Sequence, residues 1–258
     1  MAAEDLTRGW STFKVLGVRV DAVQIPDVVA QMEQWIKERK NSHFITITGM
    51  HGIMEAQHDP ALKNILDAAD LVVSDGMPLV WLGRWNGYAM RRRVYGPELM
   101  EAFCCETGPR HRHFLYGGAP GVAERLANVL RERFESHIVG TFSPPFGSLT
   151  REKAQEIKSL IRASAPDVLW VGLSTPKQEC FMFDFQESLR VPVMIGVGAA
   201  FDFHTGRVKQ APSWMRERGL EWSFRLYQEP RRLWRRYLFF GPQFVWNVLL
   251  ELLGWKKF

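Results

Sequence analysis

Four short apolar runs in this 258-residue chain each end in residues able to do chemistry. Leu71-Val72-Val73-Ser74 leads into Asp75-Gly76-Met77-Pro78, and Phe114-Leu115-Tyr116 leads into Gly117-Gly118-Ala119-Pro120-Gly121. Residues 168–173 lead into Ser174-Thr175-Pro176-Lys177-Gln178-Glu179, and 193–197 into Gly198-Ala199-Ala200-Phe201-Asp202. A carboxylate held among apolar groups, as Asp75 would be, has its pKa raised by desolvation and can act as a general base. The same residue also reads as a cap for a helix starting at Pro78. Gly117, Gly118 and Gly121 let the backbone approach a ligand, and the N–H groups of the helix start behind them bind phosphate oxygens. They serve equally well as a tight strand-to-helix turn. Thr175-Pro176-Lys177-Gln178 fits a capping box, with Thr175 as N-cap and Pro176 at the first helical position. Lys177 beside a helix N-terminus runs against the macrodipole, a conflict that a ligand phosphate would relieve.

Other chemistries lack their residues. The glycines form neither a G-x-G-x-x-G fingerprint nor a Walker A loop, and there is no G-x-S-x-G elbow. No Asp-x-Asp pair is present to chelate a metal–diphosphate complex, and His111-x-His113 has no matching carboxylate or cysteine cluster, so no metal site is expected.

The elements that must position these residues alternate along the chain. Strands are expected over 13–20, 44–48, 71–74, 114–116, 138–142, 168–173 and 193–197. Helices are expected over 26–40, 53–69 with an interruption near Pro60, 78–84, 97–107, 120–134, 150–164 and 176–189. Short apolar strands alternating with helices imply an α/β fold, a mostly parallel sheet with helices on both faces. In such sheets the ligand site lies beyond the carboxyl ends of the strands, where the four runs end.

Charge divides the chain. Residues 207–258 carry 11 Lys+Arg against 4 Asp+Glu and five of the ten Trp, whereas the whole chain carries 33 against 28. The basic excess therefore belongs to the last fifth, which reads as helical from Ala211 onward. The expected division is an α/β body over 1–206 and a basic, aromatic helical appendage over 207–258. Arg225, Arg232 and Arg235 fall at offsets of seven and three, one face of a continuous helix, although Pro230 would kink it. Trp214, Trp222, Trp234, Trp246 and Trp255 suit a lipid interface, or a packed helix pair with a basic outer face. An anionic partner is implied: nucleic acid, phospholipid head groups or a phosphorylated ligand. Cys104, Cys105 and Cys180 suit neither a disulfide framework nor a zinc ribbon, so a reducing cytosol is expected. The N-terminus MAAEDLTRGWSTF has no apolar core and predicts no secretory signal. The longest apolar stretch, 238–253, is broken by Gly241, Pro242, Gln243, Asn247 and Glu251 and predicts no membrane span.

Taken together, the segments from about Phe13 to Tyr237 resemble the WecG/TagA/CpsF family of bacterial glycosyltransferases (glycosyltransferase family 26). The resemblance rests on an ordered set: Asp75-Gly76 after an apolar strand, Arg93-Val94-Tyr95-Gly96, Gly117-Gly118-Ala119-Pro120-Gly121-Val122-Ala123-Glu124, Pro176-Lys177-Gln178-Glu179, Val197-Gly198-Ala199-Ala200-Phe201-Asp202, Gln210-Ala211-Pro212-Ser213-Trp214, Gly219-Leu220-Glu221-Trp222-Ser223-Phe224-Arg225-Leu226 and Glu229-Pro230-Arg231-Arg232. It implies a Rossmann-like body and inverting transfer of a sugar from a UDP-sugar to a polyprenyl-diphosphate-linked sugar at the cytoplasmic membrane face, with no metal ion or other cofactor. It also implies an appendage that completes the active site and engages the membrane. Asp75 becomes the expected base, Arg93 and Gln178 line the donor pocket, and Arg225, Arg232 and Arg235 face the diphosphate. Where many members carry Asn in a Thr-x-Asn pattern, this chain has Ile47-Thr48-Gly49; the run Ser143-Pro144-Pro145-Phe146-Gly147 has no assigned role.

Inverting transfer needs a base on the acceptor side and positive charge on the leaving oxygens. Asp75 supplies the first; the appendage arginines together with the 117–121 loop are the available sources of the second. On this reading the basic tail closes over the site when it docks on lipid. A nucleic-acid partner is disfavoured, since no groove-reading helix or stacking sheet face is evident. A catalytically silent UDP-sugar or phospholipid-binding protein of the same fold is the alternative, and a homo-oligomer sealed by the tail is left open.

Overall fold

The structure, a computed structural model, describes residues 9–145, 147 and 150–258. The reading of the first eight residues, and of Phe146 in the 143–147 run, lies outside the described residues. In chain order the elements are β1 (Thr12–Val15), β2 (Val18–Asp21), α1 (Ile25–Glu38), β3 (His43–Thr48), α2 (Met50–His58), α3 (Pro60–Ala68), β4 (Leu71–Ser74), α4 (Met77–Trp85) and α5 (Gly96–Thr107). There follow β5 (Arg112–Gly117), α6 (Val122–Phe134), β6 (His137–Phe142), α7 (Arg151–Ser164), β7 (Val168–Gly172), α8 (Lys177–Leu189), β8 (Val193–Gly196) and α9 (Ala200–His204). The last quarter is helical: α10 (Ser213–Glu217), α11 (Glu221–Gln228), α12 (Pro230–Trp234), a π-helical turn (Arg235–Phe239) and α13 (Phe240–Leu252). The α/β class with a mostly parallel sheet is as expected: β1 and β2 are antiparallel, and the other registered pairs are parallel.

The chain forms two compact units. The first gathers the described residues up to Gln24, Ile47–Tyr95 and Gln210–Phe258; the second gathers Ile25–Thr46 and Gly96–Lys209. This division does not follow the composition break at residue 206, because the basic tail belongs to the same unit as the N-terminal strands.

In the first unit the single strand expected over 13–20 is a hairpin. Leu16 and Gly17 both take left-handed backbone (φ 49° and 73°), which turns β1 back onto β2. An apolar residue at the first turn position hid that turn from the hydrophobic pattern. β2 pairs with β4. Asp59 caps α3 through the backbone N–H groups of Ala61 and Leu62, which divides the helix expected over 53–69. The core joins the hairpin (Phe13, Val15, Leu16, Val18, Val20) with Ile53 and Met54 of α2, Leu79 and Val80 of α4, and Phe240, Phe244 and Val248 of α13. Those last three recur every four residues, so one stripe of α13 is buried.

In the second unit β3, β8, β7, β5 and β6 lie side by side in that order. Trp170, Phe114, Phe103 and Phe201 fill its core. His113 on β5 is fully buried and accepts a hydrogen bond at Nδ1 from Trp170 Nε1 (3.0 Å). Burial lowers its pKa to about 4. Between that value and the ordinary 6.5 the unfolded chain binds a proton that the native state does not. Stability should therefore fall as pH drops through this window, by roughly 3 kcal/mol at pH 4. His113→Asn keeps an acceptor for Trp170 and cannot titrate. Its urea midpoint should decline less between neutral pH and pH 4 than that of the wild type; equal declines would exclude His113 as the cause.

Candidate active site

All four residues of β4 are buried, and the chain leaves the strand through Asp75. Gly76, at φ 122°, turns it at once into α4, a conformation that a side chain would resist. Asp75 does not cap that helix: Gly76 occupies the N-cap position and no side chain bonds there. The Asp75 N–H donates to the Thr48 carbonyl at the end of β3 (2.7 Å). A Cβ on Gly49 would lie 2.3 Å from the Asp75 carbonyl oxygen, so this backbone has no room for the Asn of the Thr-x-Asn pattern. Val94 donates to the Ser74 carbonyl (2.8 Å), which lays the Arg93 segment along the same strand end.

Asp75 opens into a cavity of about 380 Å³ within the first unit, lined also by His51, Trp81, Arg93, Glu221, Arg225, Arg236 and Tyr237. Arg93 Nη1 stands 3.8 Å from Asp75 Oδ1, an oxygen with no hydrogen-bond partner. The other end of the Arg93 fork pairs with Glu221, the first residue of α11. Tyr95 donates to the second Glu221 oxygen (3.2 Å) and lies under the Arg93 guanidinium, 4.1 Å from centre to ring. Glu221 is buried and both its oxygens are engaged, so it fixes the arginine that faces Asp75. Desolvation raises the Asp75 pKa; Arg93 draws it back down and Glu221 pushes it up again. His51 is lowered to about 3 by burial and by the charge of Arg236, so it is neutral at physiological pH.

A second cavity of about 510 Å³ in the same unit is lined by His51, Glu55, His58, Arg232, Arg235, Arg236, Phe239 and Phe240. The three arginines expected on one face are thus divided. Arg225 joins Asp75 and Arg93, whereas Arg232 and Arg235 meet in the second cavity. The helix breaks at Glu229, and Pro230 begins a new one. No movement of the appendage is needed to bring Arg225 to the cavity, since α11 and α13 already form part of its wall.

The remaining expected residues belong to the second unit. Gly117, Gly118 and Gly121 all take positive φ at the β5–α6 turn. A Cβ on Gly117 would lie 2.5 Å from the Gly172 carbonyl oxygen, and Gly118 N–H donates to that oxygen (3.0 Å). Gly121 caps α6 without a side chain. Ser143 bonds the carbonyls of Gly117 and Ala119 (3.1 and 3.2 Å), which gives one member of the 143–147 run a place in holding the turn. Lys177 is the first residue of α8. The capping box does not form: the N-cap is Pro176, and the Thr175 hydroxyl instead donates to Glu179 one turn on (3.0 Å). Gln178 is buried, accepting from Gly198 N–H (3.1 Å) and donating to Glu179 (3.0 Å).

A family model described as "Glycosyl transferase WecG/TagA/CpsF family" matches residues 13–258. The chain belongs to this family. A relative from Bacillus spizizenii (strain ATCC 23059 / NRRL B-14472 / W23), named N-acetylglucosaminyldiphosphoundecaprenol N-acetyl-beta-D-mannosaminyltransferase, is 30% identical over 228 residues, covering 88% of this chain and 86% of its own. For a WecG/TagA/CpsF member the site holds residues to which sequence reasoning gave no role. Glu221 and Tyr95 lay inside quoted motifs, but nothing local shows that they share Arg93. Arg236 stands eleven residues from Arg225, about three helical turns, a periodic signal masked by the adjacent Arg235. Among the described residues, no group of three His, Cys, Asp or Glu is placed to hold a metal ion.

Proposed function

We propose that this chain is an inverting glycosyltransferase that moves a sugar from a UDP-sugar to a polyprenyl-diphosphate-linked saccharide, working from the inner face of the bacterial cell membrane. The observation that carries the reading is Asp75: a strand-end carboxylate with an unbonded oxygen, a pKa raised by burial, and four arginines (Arg93, Arg218, Arg225 and Arg236) lining its cavity. The acceptor class follows the name of the Bacillus relative, whose acceptor is a sugar on a diphospho-undecaprenol. In the reaction the acceptor hydroxyl gives its proton to Asp75 as its oxygen bonds the anomeric carbon. The bond from that carbon to the donor diphosphate breaks on the opposite face, and UDP departs. The guanidiniums of Arg93 and Arg225 offset the charge that develops on the leaving oxygens, a part assigned to side chains in place of a metal ion. In the second unit, the 117–121 turn, Lys177 and Gln178 are assigned to the donor.

Peripheral docking on lipid is supported by the exposed apolar residues of the π-helical turn, of α13 and of its C-cap Leu253. Leu238, Val245, Trp246, Leu249, Leu252 and Leu253 are each about half exposed. No helix among the described residues is long and apolar enough to cross a membrane.

The direct test is incubation of radiolabelled UDP-sugars, UDP-N-acetylmannosamine first, with a short-chain lipid-diphosphate N-acetylglucosamine, with and without a chelator. Product of inverted configuration at an unchanged rate in chelator is expected; binding of both substrates without turnover would leave the silent binding protein. The pH profile tests the base. Arg93 favours the ionised form of Asp75 and Glu221 disfavours it. Arg93→Gln should therefore move the acid limb of kcat/KM to higher pH and Glu221→Gln to lower pH. Shifts in the same direction, or none, would exclude Asp75 as the titrating group.

A further inference from the structure

The two cavities of the first unit share a wall, because His51 and Arg236 line both. Arg225 reaches only the first of them, and Arg232 and Arg235 only the second. The guanidinium of Arg236 differs from those of Arg93 and Arg232 in being unpaired among the described residues, and from that of Arg235 in being less exposed. Arg93 is paired with Glu221 and Arg232 with Glu229 (2.6 Å), but among the described residues Arg236 has no hydrogen bond or ion pair, only a distant approach to the Tyr237 ring (5.8 Å). Burial above all, with the like charges of Arg225 and Arg232, lowers its pKa; Tyr237 and the Asp75 carboxylate act in the opposite sense but do not reverse it, so its charge is held at an electrostatic cost. An anion at the junction would remove that cost.

We propose that Arg236 anchors the diphosphate of the lipid-linked acceptor at the junction of the two cavities. This deepens the function proposed above and rests on it. Arg232 and Arg235 stand behind the diphosphate in the second cavity, and the acceptor sugar passes the shared wall toward Asp75 in the first. The surroundings favour the acceptor over the nucleotide donor. Arg235 and Arg236 open the π-helical turn, which also carries Leu238 and Phe239, each more than half exposed, with the equally exposed Trp234 immediately before it. A prenyl chain leaving the diphosphate would meet this apolar surface, for which a nucleoside has no use. The departure from α-helical spacing at this turn fits a binding role, since π-helical turns recur at functional sites.

The test uses the full chain in three forms, Arg236→Gln, Arg236→Lys and, as a control on an exposed residue lining neither cavity, Arg231→Gln. Inorganic pyrophosphate is titrated calorimetrically, and KM is measured separately for UDP-sugar and for the short-chain lipid-diphosphate sugar. Loss of a charge-assisted contact predicts that Arg236→Gln weakens pyrophosphate binding and raises the acceptor KM, each by about 10- to 100-fold. The donor KM should stay unchanged, Arg236→Lys should recover part of the loss, and Arg231→Gln should behave as wild type. If Arg236→Gln fails to fold, Arg236→Lys still reports, through a raised acceptor KM at unchanged donor KM. Wild-type pyrophosphate affinity in Arg236→Gln, or a rise confined to the donor KM, would overturn the inference. A wild-type chain that binds pyrophosphate through Arg236 yet transfers no sugar would overturn the proposed function while the anion site stands.

Discussion

Asp75→Asn should lower the transfer rate by about 10²- to 10⁴-fold while leaving donor binding intact, the loss expected when a general base is removed without changing its shape. The substitution keeps the size of the side chain. It leaves the Asp75 backbone bond to Thr48 in place, and Arg93 remains fixed by Glu221 and Tyr95. What is lost is the proton acceptor. The alternative role for this residue, a cap on α4, predicts a different outcome, namely a fall in thermal stability with the rate of the folded fraction unchanged. The structure gives no side-chain cap to lose, so the melting temperature should hardly move. Rate at saturating substrates, donor affinity by calorimetry and the melt together separate the two roles. A near-normal rate would exclude Asp75 as base.

Asp75 was legible in the sequence because its signal is local. An apolar run followed by Asp-Gly-x-Pro describes a buried strand, an abrupt turn and a helix start, and the structure has all three in place. The same holds for the parallel strands of the second unit, whose continuous apolar runs follow from burial on both faces. The first hairpin was hidden because Leu16 occupies a turn position usually held by Asn, Asp or Gly, so no polar residue marks the change of phase between Phe13-Lys14-Val15 and Val18-Arg19-Val20. Glu221 was hidden for a different reason. Its partner Arg93 lies 128 residues away, and a long-range ion pair leaves no spacing in a single chain. The division of Arg225 from Arg232 and Arg235 depends on how far Glu229 and Pro230 turn the backbone, which composition does not fix.

Removing residues 207–258 should abolish transfer, but by unfolding the first unit as well as by removing arginines. The tail reads as an appendage from its charge, yet α13 sends Phe240, Phe244 and Val248 into the core formed with the β1–β2 hairpin, α2 and α4. Glu251 at the end of α13 also accepts a hydrogen bond from the Leu16 N–H in the hairpin turn (3.1 Å). Emptying the sites of two buried phenylalanines costs about 6–10 kcal/mol at 3–5 kcal/mol each. That is comparable with the whole net stability of a domain, about 5–15 kcal/mol. The truncated chain should therefore lose near-ultraviolet circular dichroism, bind a hydrophobic dye and be cleaved by protease within 9–24 and 47–95. A truncated chain that melts like the intact protein and lacks only transfer would show instead that α13 merely rests on the fold. Because this deletion removes core and arginines together, the catalytic share of the tail is read from point substitutions. Arg225→Gln and Arg232→Gln leave Phe240, Phe244 and Val248 in place, and any rate they lose belongs to charge in the two cavities.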